Sequence, residues 1–167
     1  MKAPRTKVDT LTSAMSLAKK ARAAGKRIVT TNGCFDILHT GHVRYLTFAR
    51  SKGDVLIVGI NTDASVRASK GPTRPVNPAR ERAEVIAALS CVDAVFLFSD
   101  RTPEKWIKKI RPHIHVKGGD YTADQIIEKN VVEESGGKIV IAPHIKGRST
   151  STMIEKIRTS HSSHDTQ

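Results

Sequence analysis

The sequence predicts an α/β fold, a Rossmann-like doubly wound parallel sheet of five strands with helices on both faces, preceded by an N-terminal helix. Three observations predict it. Short runs rich in Val, Ile and Leu alternate with longer stretches of helical periodicity along most of the chain. One run, 54–60, is almost continuously apolar, as a central parallel strand requires when helices cover both its faces. Aromatic residues are only 4% of the chain, so the core must be aliphatic, which suits parallel strands under helices.

The opening helix is read over 9–24 from Leu11, Met15, Leu17 and Ala21, with Thr10 or Thr12 as its N-cap and Gly25 as its stop. The β-branched run 27–32 ends at Gly33 and reads as a buried strand; a helix over 41–51, closed by Gly53, leads to the strand 54–60. Gly71, Pro72, Pro75 and Pro78 mark 64–78 as a mobile loop that carries Lys70 and Arg74. Helix 79–89, strand 94–98, helix 103–110, strand 114–116, helix 123–135, strand 138–141 and helix 150–158 then follow in turn. The expected organisation is an N-terminal helical extension over 1–25, one domain over 26–158 and a disordered polar tail over 159–167. A chain of 167 residues is long enough for one core that hides roughly 70% of the unfolded surface.

Lys and Arg number 28 against 16 Asp and Glu, a net charge of +12 that attracts anions without saying which. Much of the excess, including Lys19, Lys20, Arg22, Lys26 and Arg27, reads as solvated surface. The two cysteines, Cys34 and Cys91, belong to no C-x-x-C pair or zinc pattern and are expected as reduced thiols in a cytoplasmic protein. Residues 1–20 lack the apolar core of a signal peptide, and no run approaches the roughly 18 apolar residues that span a bilayer.

In a doubly wound sheet the ligand lies beyond the carboxyl ends of the strands, so the loop after the first of the predicted strands is the first place to search. It reads Asn32-Gly33-Cys34-Phe35-Asp36-Ile37-Leu38-His39-Thr40-Gly41-His42, with neither a G-x-G-x-x-G nor a Walker A pattern. His39 and His42 bracket Gly41 at a helix start, where unsatisfied N–H groups and the helix dipole favour an anion. Imidazole donors there can stabilise charge developing at an attacked phosphorus, worth roughly 3 kcal/mol per well-placed donor. Their role is electrostatic rather than nucleophilic; the plainer alternative is a pair of capping or core histidines. Zinc lacks a third ligand at metal-like spacing.

The run from Gly33 to Val43 resembles the G-x-F-D-x-x-H-x-G-H signature of the cytidylyltransferase-like nucleotidylyltransferases. The likeness extends through Lys70-Gly71-Pro72-Thr73-Arg74-Pro75-Val76, Val116-Lys117-Gly118-Gly119-Asp120-Tyr121 and Ser149-Thr150-Ser151-Thr152, covering about 26–157. These later segments are most similar to the ADP-heptose synthases, the heptose 1-phosphate adenylyltransferases. That resemblance implies His39, His42 and Lys70 as the catalytic groups. It implies Gly33, Cys34, Phe35, Gly41, Arg82, Lys117, Gly118, Thr150, Ser151 and Thr152 around the nucleotide, and Asn32, Asp36, Asp63, Arg74 and Asp120 around the sugar phosphate. The family more often has a Ser-Thr-Thr run where this chain has Ser149-Thr150-Ser151-Thr152, so which hydroxyl meets phosphate stays open.

The activity so implied joins ATP and D-glycero-β-D-manno-heptose 1-phosphate to give ADP-heptose and pyrophosphate for the lipopolysaccharide core. Mg²⁺ is expected on the ATP phosphates, with no metal site of the protein's own. A separate heptose kinase upstream and a homodimer are implied as well, and neither nucleic acid nor membrane is expected as a partner. Two rivals stand beside this reading. One is a cytidylyltransferase for glycerol 3-phosphate or ethanolamine phosphate, which shares the histidine signature. The other is a basic nucleic-acid-binding module, for which the chain lacks a recognition-helix motif and an aromatic-rich strand.

Overall fold

The computed structural model describes residues 7–119, 126–143 and 149–162, with His161 and Ser162 described by backbone alone. Six parallel strands form one sheet in the order β1-β4-β3-β2-β5-β6. They are β1 (Val8–Asp9), β2 (Ile28–Gly33), β3 (Val55–Asn61), β4 (Ala94–Phe98), β5 (Ile114–Lys117) and β6 (Lys138–Ile141). The sheet is the Rossmann-like arrangement expected, with six strands rather than five. The added strand, β1, pairs Val8 with Val95 and Asp9 with Phe96 at the edge. Two residues are too few for any apolar alternation to announce a strand.

Alternate residues of β3 show how both faces become covered. Leu56, Val58 and Ile60 point into one cluster with Leu46 and Ala49 of α2 (Thr40–Arg50) and Ala83, Ile86 and Ala87 of α4 (Ala79–Ala88). Val55 and Ile57 point into the other, with Ala14, Ala18 and Ala21 of α1 (Leu11–Ala23) and Trp106, Ile107 and Ile110 of α5 (Glu104–Ile110). Thr10 caps α1 by accepting the Ser13 N–H at 3.2 Å. Small side chains on the buried stripe of α1 let that helix lie close to the strands, where Phe96, Phe98 and Trp106 supply the bulk.

Three boundaries differ from expectation. Residues 63–70 form a helix, α3 (Asp63–Lys70), instead of opening a loop. Val66 anchors it in the interior, and the glycine and prolines act only from Gly71, which ends it at φ +93°. Helix α6 (Lys129–Glu134) begins later than position 123, and the residues of the expected helix before 126 lie outside those described. Helix α7 (Thr150–Ser162) runs past 158 into part of the expected tail, where Thr159 and Ser160 return their hydroxyls to Glu155 and Lys156 carbonyls. Among the described residues no helix is long and apolar enough to cross a membrane.

The chain steps from β2 through β3 to β4 in one direction, then returns to place β5 on the other side of β2. The switch in winding direction therefore falls between β2 and β5, and the connections leaving their carboxyl ends part to form a crevice. Tyr45 of α2 straddles this point, donating to the Val116 carbonyl at 2.8 Å and lying 2.5 Å from Thr31 Oγ1.

Candidate active site

The loop between β2 and α2 enters that crevice by a tight path. Phe35 and Ile37 both have left-handed backbones, at φ 48° and 46°, a conformation that non-glycine residues seldom hold without support. The support comes from Asp36 between them, whose carboxylate is fully buried. It accepts Arg74 Nε at 2.9 Å, Val76 N at 2.8 Å and Asn77 N at 3.0 Å. Burial alone would raise the Asp36 carboxyl, yet the Asn77, Val76 and Arg74 donors hold it below the ordinary range. At Gly33 a Cβ would meet the Phe35 ring at 3.0 Å, so a side chain there would have to displace that ring.

His39 is the N-cap of α2 and its Nδ1 accepts the Gly41 N–H at 3.1 Å. An acceptor role at Nδ1 puts the ring proton of the neutral imidazole on Nε2. His42 stacks on His39, with centroids 3.9 Å apart and planes inclined by 22°, while Phe35 meets its other side edge-on at 5.4 Å. Burial, then His39, then Lys70 lower the His42 imidazole to about 4, so it is neutral at pH 7. Its buried Nδ1 has no hydrogen-bond partner among the described residues, nor does Asn32 Oδ1 on the adjoining strand end. Two polar atoms left unsatisfied at the edge of a crevice are what a polar ligand would satisfy. Cys34, also in this loop, is a free thiol that burial pushes above its usual range, so it stays protonated and is no nucleophile.

The crevice, about 1270 Å³, is lined by Asn32, Gly33, Cys34, Phe35, Asp36, His39, Gly41 and His42 from the β2 side. Lys70 lines it from the end of α3 and Arg74 from the loop beyond, Lys117 and Gly118 from the end of β5, and Thr150 and Ser151 from the start of α7. Thus most of the residues singled out in the sequence converge. Lys70 does so from the last turn of α3.

Three others face elsewhere, and Asp36 is turned inward. Arg82 is 2% exposed and donates to the carbonyls of Asn77, Cys34 and Asn61 and to Asp63 Oδ1. Arg82 and Asp63 thus bind each other behind the cleft wall, where they tie three loops together rather than meeting ligand. Thr152 is likewise outside the lining; its N–H donates to Ser149 Oγ at 3.1 Å, an ordinary helix cap. The Thr150 hydroxyl donates to the Asp36 carbonyl at 2.7 Å, which brings α7 to the histidine loop. Ser151 is then the hydroxyl of the group with no such bond among the described residues. Asp120 lies outside the described residues.

The sequence reading missed Arg101 and Glu128, which line the cleft from the ends of β4 and α6, and the buried His115. No motif marks any of them. Only the sheet order brings β5 and β4 to either side of the β2–β3 pair.

A family model described as cytidylyltransferase-like matches residues 30–165. The chain belongs to the cytidylyltransferase-like family of nucleotidylyltransferases. This cytidylyltransferase-like chain is 48% identical over 153 residues to the bifunctional protein HldE of Geotalea uraniireducens, covering 92% of the chain and 31% of that protein. It is 51% identical over 142 residues to the bifunctional protein HldE of Citrifermentans bemidjiense, covering 85% and 29%. The chain therefore spans under a third of the length of these relatives. Among solved structures, the lipopolysaccharide core biosynthesis protein from Thermoplasma volcanium is 29% identical with a TM-score of 0.65, over 73% of this chain and 100% of that one. Pantoate-beta-alanine ligase from Francisella tularensis, 19% identical with a TM-score of 0.60 over 86% and 68%, shares the fold.

Proposed function

We propose that the chain transfers the adenylyl group of ATP to D-glycero-β-D-manno-heptose 1-phosphate, giving ADP-heptose and pyrophosphate. The observation that carries the chemistry is the stacked pair of imidazoles over the start of α2, His42 neutral and His39 turned so that Nε2 is the donor. Identity to the HldE proteins and the likeness to a lipopolysaccharide core biosynthesis protein support the sugar and its destination.

In the reaction a phosphate oxygen of the sugar phosphate attacks the α-phosphorus of ATP. The new O–P bond forms as the bond to the bridging oxygen of the β-phosphate breaks, and pyrophosphate leaves with that electron pair. Both reactants are anions, so the protein's work is to position them and to neutralise charge. The neutral His42 imidazole, the His39 Nε2–H at the positive end of the α2 dipole and the Lys70 ammonium supply donors without proton transfer. Ser151 and Gly118 complete the nucleotide side. Mg²⁺ would enter with the triphosphate and share its charge. Among the described residues the carboxylates lining the cleft, Asp36 and Glu128, already engage Arg74 and Lys117, which favours phosphate oxygens and water as the metal's ligands. A kinase acting on the sugar must supply its phosphate, as its own polypeptide or as a further domain. The protein acts as a homodimer, for which light scattering would read twice the chain mass of 18.3 kDa.

The test pairs ATP or CTP with heptose 1-phosphate, glycerol 3-phosphate or ethanolamine phosphate and measures pyrophosphate release. ATP with heptose 1-phosphate is expected to exceed the other pairs by at least a hundredfold; preference for CTP with glycerol 3-phosphate or ethanolamine phosphate would replace this reading. His39→Ala and His42→Ala are each expected to lower turnover at least a hundredfold with the fold intact. Near-normal turnover in both would defeat the role given to the imidazoles.

A further inference from the structure

Opposite the imidazoles, the β5 side of the cleft contains charged groups that adenylyl transfer does not by itself require. Lys117, the last residue of β5, and Glu128, the N-cap of α6, both line the cleft, yet they are only 8% and 3% exposed. Lys117 Nζ lies 2.6 Å from Glu128 Oε1. On the inner side His115 Nε2 is 3.4 Å from the same oxygen, and His115 Nδ1 is 2.8 Å from Thr30 Oγ1. Thr30 and His115 are wholly buried, and Trp106 packs against the imidazole at 5.8 Å. The order Thr30, His115, Glu128, Lys117 runs from the centre of the sheet to the cleft surface.

Stability is a poor reason for such a row, since apolar residues of the same size often serve a core as well as a buried ion pair does. A fixed carboxylate beside a crevice for two polyanions is also unfavourable unless it acts on a cation. Burial keeps the His115 imidazole neutral, its Nδ1 shares a hydrogen bond with the Thr30 hydroxyl, and its Nε2 edge is thereby turned toward Glu128. Burial alone would raise the Glu128 carboxyl, yet His115 and Lys117 hold it at about 2, so it is ionised throughout the working range. The neutral ring packs beside the carboxylate without competing with Lys117 for its charge. The carboxylate in turn restricts a long, flexible side chain that would otherwise lose its freedom when ligand binds.

We propose that Glu128, braced by His115 and Thr30, is a positioning residue that holds the Lys117 ammonium at the carboxyl end of β5, where it meets the phosphates of the nucleotide. The inference rests on the nucleotidylyl-transfer reading for its ligand and concerns how one contact is prepared. In pyrophosphate-release assays Glu128→Gln is expected to raise the KM for ATP about tenfold, with kcat within threefold of wild type and the KM for the sugar phosphate unchanged. Lys117→Ala should raise the same KM at least as much, and the double variant should be no worse than Lys117→Ala within twofold. Thr30→Val touches no ligand and keeps the side-chain shape; it should raise the KM for ATP twofold to threefold.

An ATP KM within twofold of wild type in Glu128→Gln, or effects that multiply in the double variant, would overturn the proposal. If Glu128→Gln does not fold, Thr30→Val decides: a lower melting temperature with an unchanged KM means the row is structural only. If the wild type binds ATP in calorimetry but turns over none of the sugar phosphates, the functional reading fails. ATP affinities of the same variants then still decide the positioning role.

Discussion

Replacing Asp36 by Asn tests how the histidine loop is held. The carboxylate is fully buried and accepts three donors: Arg74 Nε, Val76 N and Asn77 N, at 2.9, 2.8 and 3.0 Å. An amide keeps one acceptor oxygen and turns an NH₂ group toward donors, so at least one of the three bonds is lost and the Arg74 charge loses its partner. Hydrogen bonds to charged groups contribute about 1.5–3 kcal/mol each, and breaking a buried pair from one side costs about 3–5 kcal/mol. A loss of about 3–4 kcal/mol is therefore expected, which in a chain of this size lowers the melting temperature by roughly 10 °C. Differential scanning calorimetry at neutral pH measures it, and pyrophosphate release should fall with it, because the 74–77 loop and Thr150 both attach here. The sign of the pH effect is also set. A carboxyl lowered by folding contributes stability above its unfolded value of 3.8 and loses it as pH falls through the lower folded value. The gap between wild type and Asp36→Asn should accordingly narrow below about pH 4. A gap under about 2 °C at neutral pH, or one as wide at pH 3, would refute the reasoning.

His42 is neutral in the folded and unfolded chain at pH 7, but between 6.5 and about 4 only the unfolded chain takes up its proton. Wild type should lose about 2 kcal/mol more than His42→Gln over that interval, after allowance for the part of the ring that solvent reaches; superimposable pH profiles in urea unfolding would contradict this. Arg82→Met leaves three carbonyls and Asp63 without their donor, so the melting temperature should fall by roughly 10 °C. An unchanged melting temperature with an increased KM would instead make Arg82 a ligand contact. Ser151→Ala should raise the KM for ATP about fivefold without changing stability, whereas Ser149→Ala, which removes the α7 cap, should do the reverse; equal KM values in the two would remove Ser151 from the site.

The fold was legible because its signals are long and local. The alternation of Val55 to Ile60 between two clusters follows from period two, and the bounds of β4 and β6 are those the apolar runs mark. What failed was short or non-local. Strand β1 has two residues, and α3 sits next to four turn-forming residues that dominate the reading although they begin only after it ends. The histidine loop was legible as a cleft-lining segment because a strand end, a glycine and two histidines stand together in sequence. His115 and Glu128 were not, since each is unremarkable where it stands and they meet only through the packing of α6 against β6 and α5. Arg82 and Asp63 were visible as residues but lie outside the cleft lining, because a sequence does not tell a side chain that lines a cleft from one that holds the loop that does.

That last distinction orders the charges of the whole site. Of the cations near the crevice, Arg74 is committed to Asp36, Arg82 to Asp63 and three carbonyls, and Lys117 to Glu128. Lys70 and Arg101 line the cleft in no ion pair among the described residues, and the chain as a whole carries +12. Long-range attraction of polyanions thus falls to exposed and distributed charge, which salt screens and which acts mainly on encounter. In the proposed reaction the groups that face the phosphates are the neutral His42 and the His39 Nε2–H at the helix cap, which salt screens little and which need no rearrangement as charge moves. Fixing the arginines in the scaffold is what allows this division. Their charge is used to lock the loops in left-handed and buried conformations, and the locked loops then aim uncharged donors.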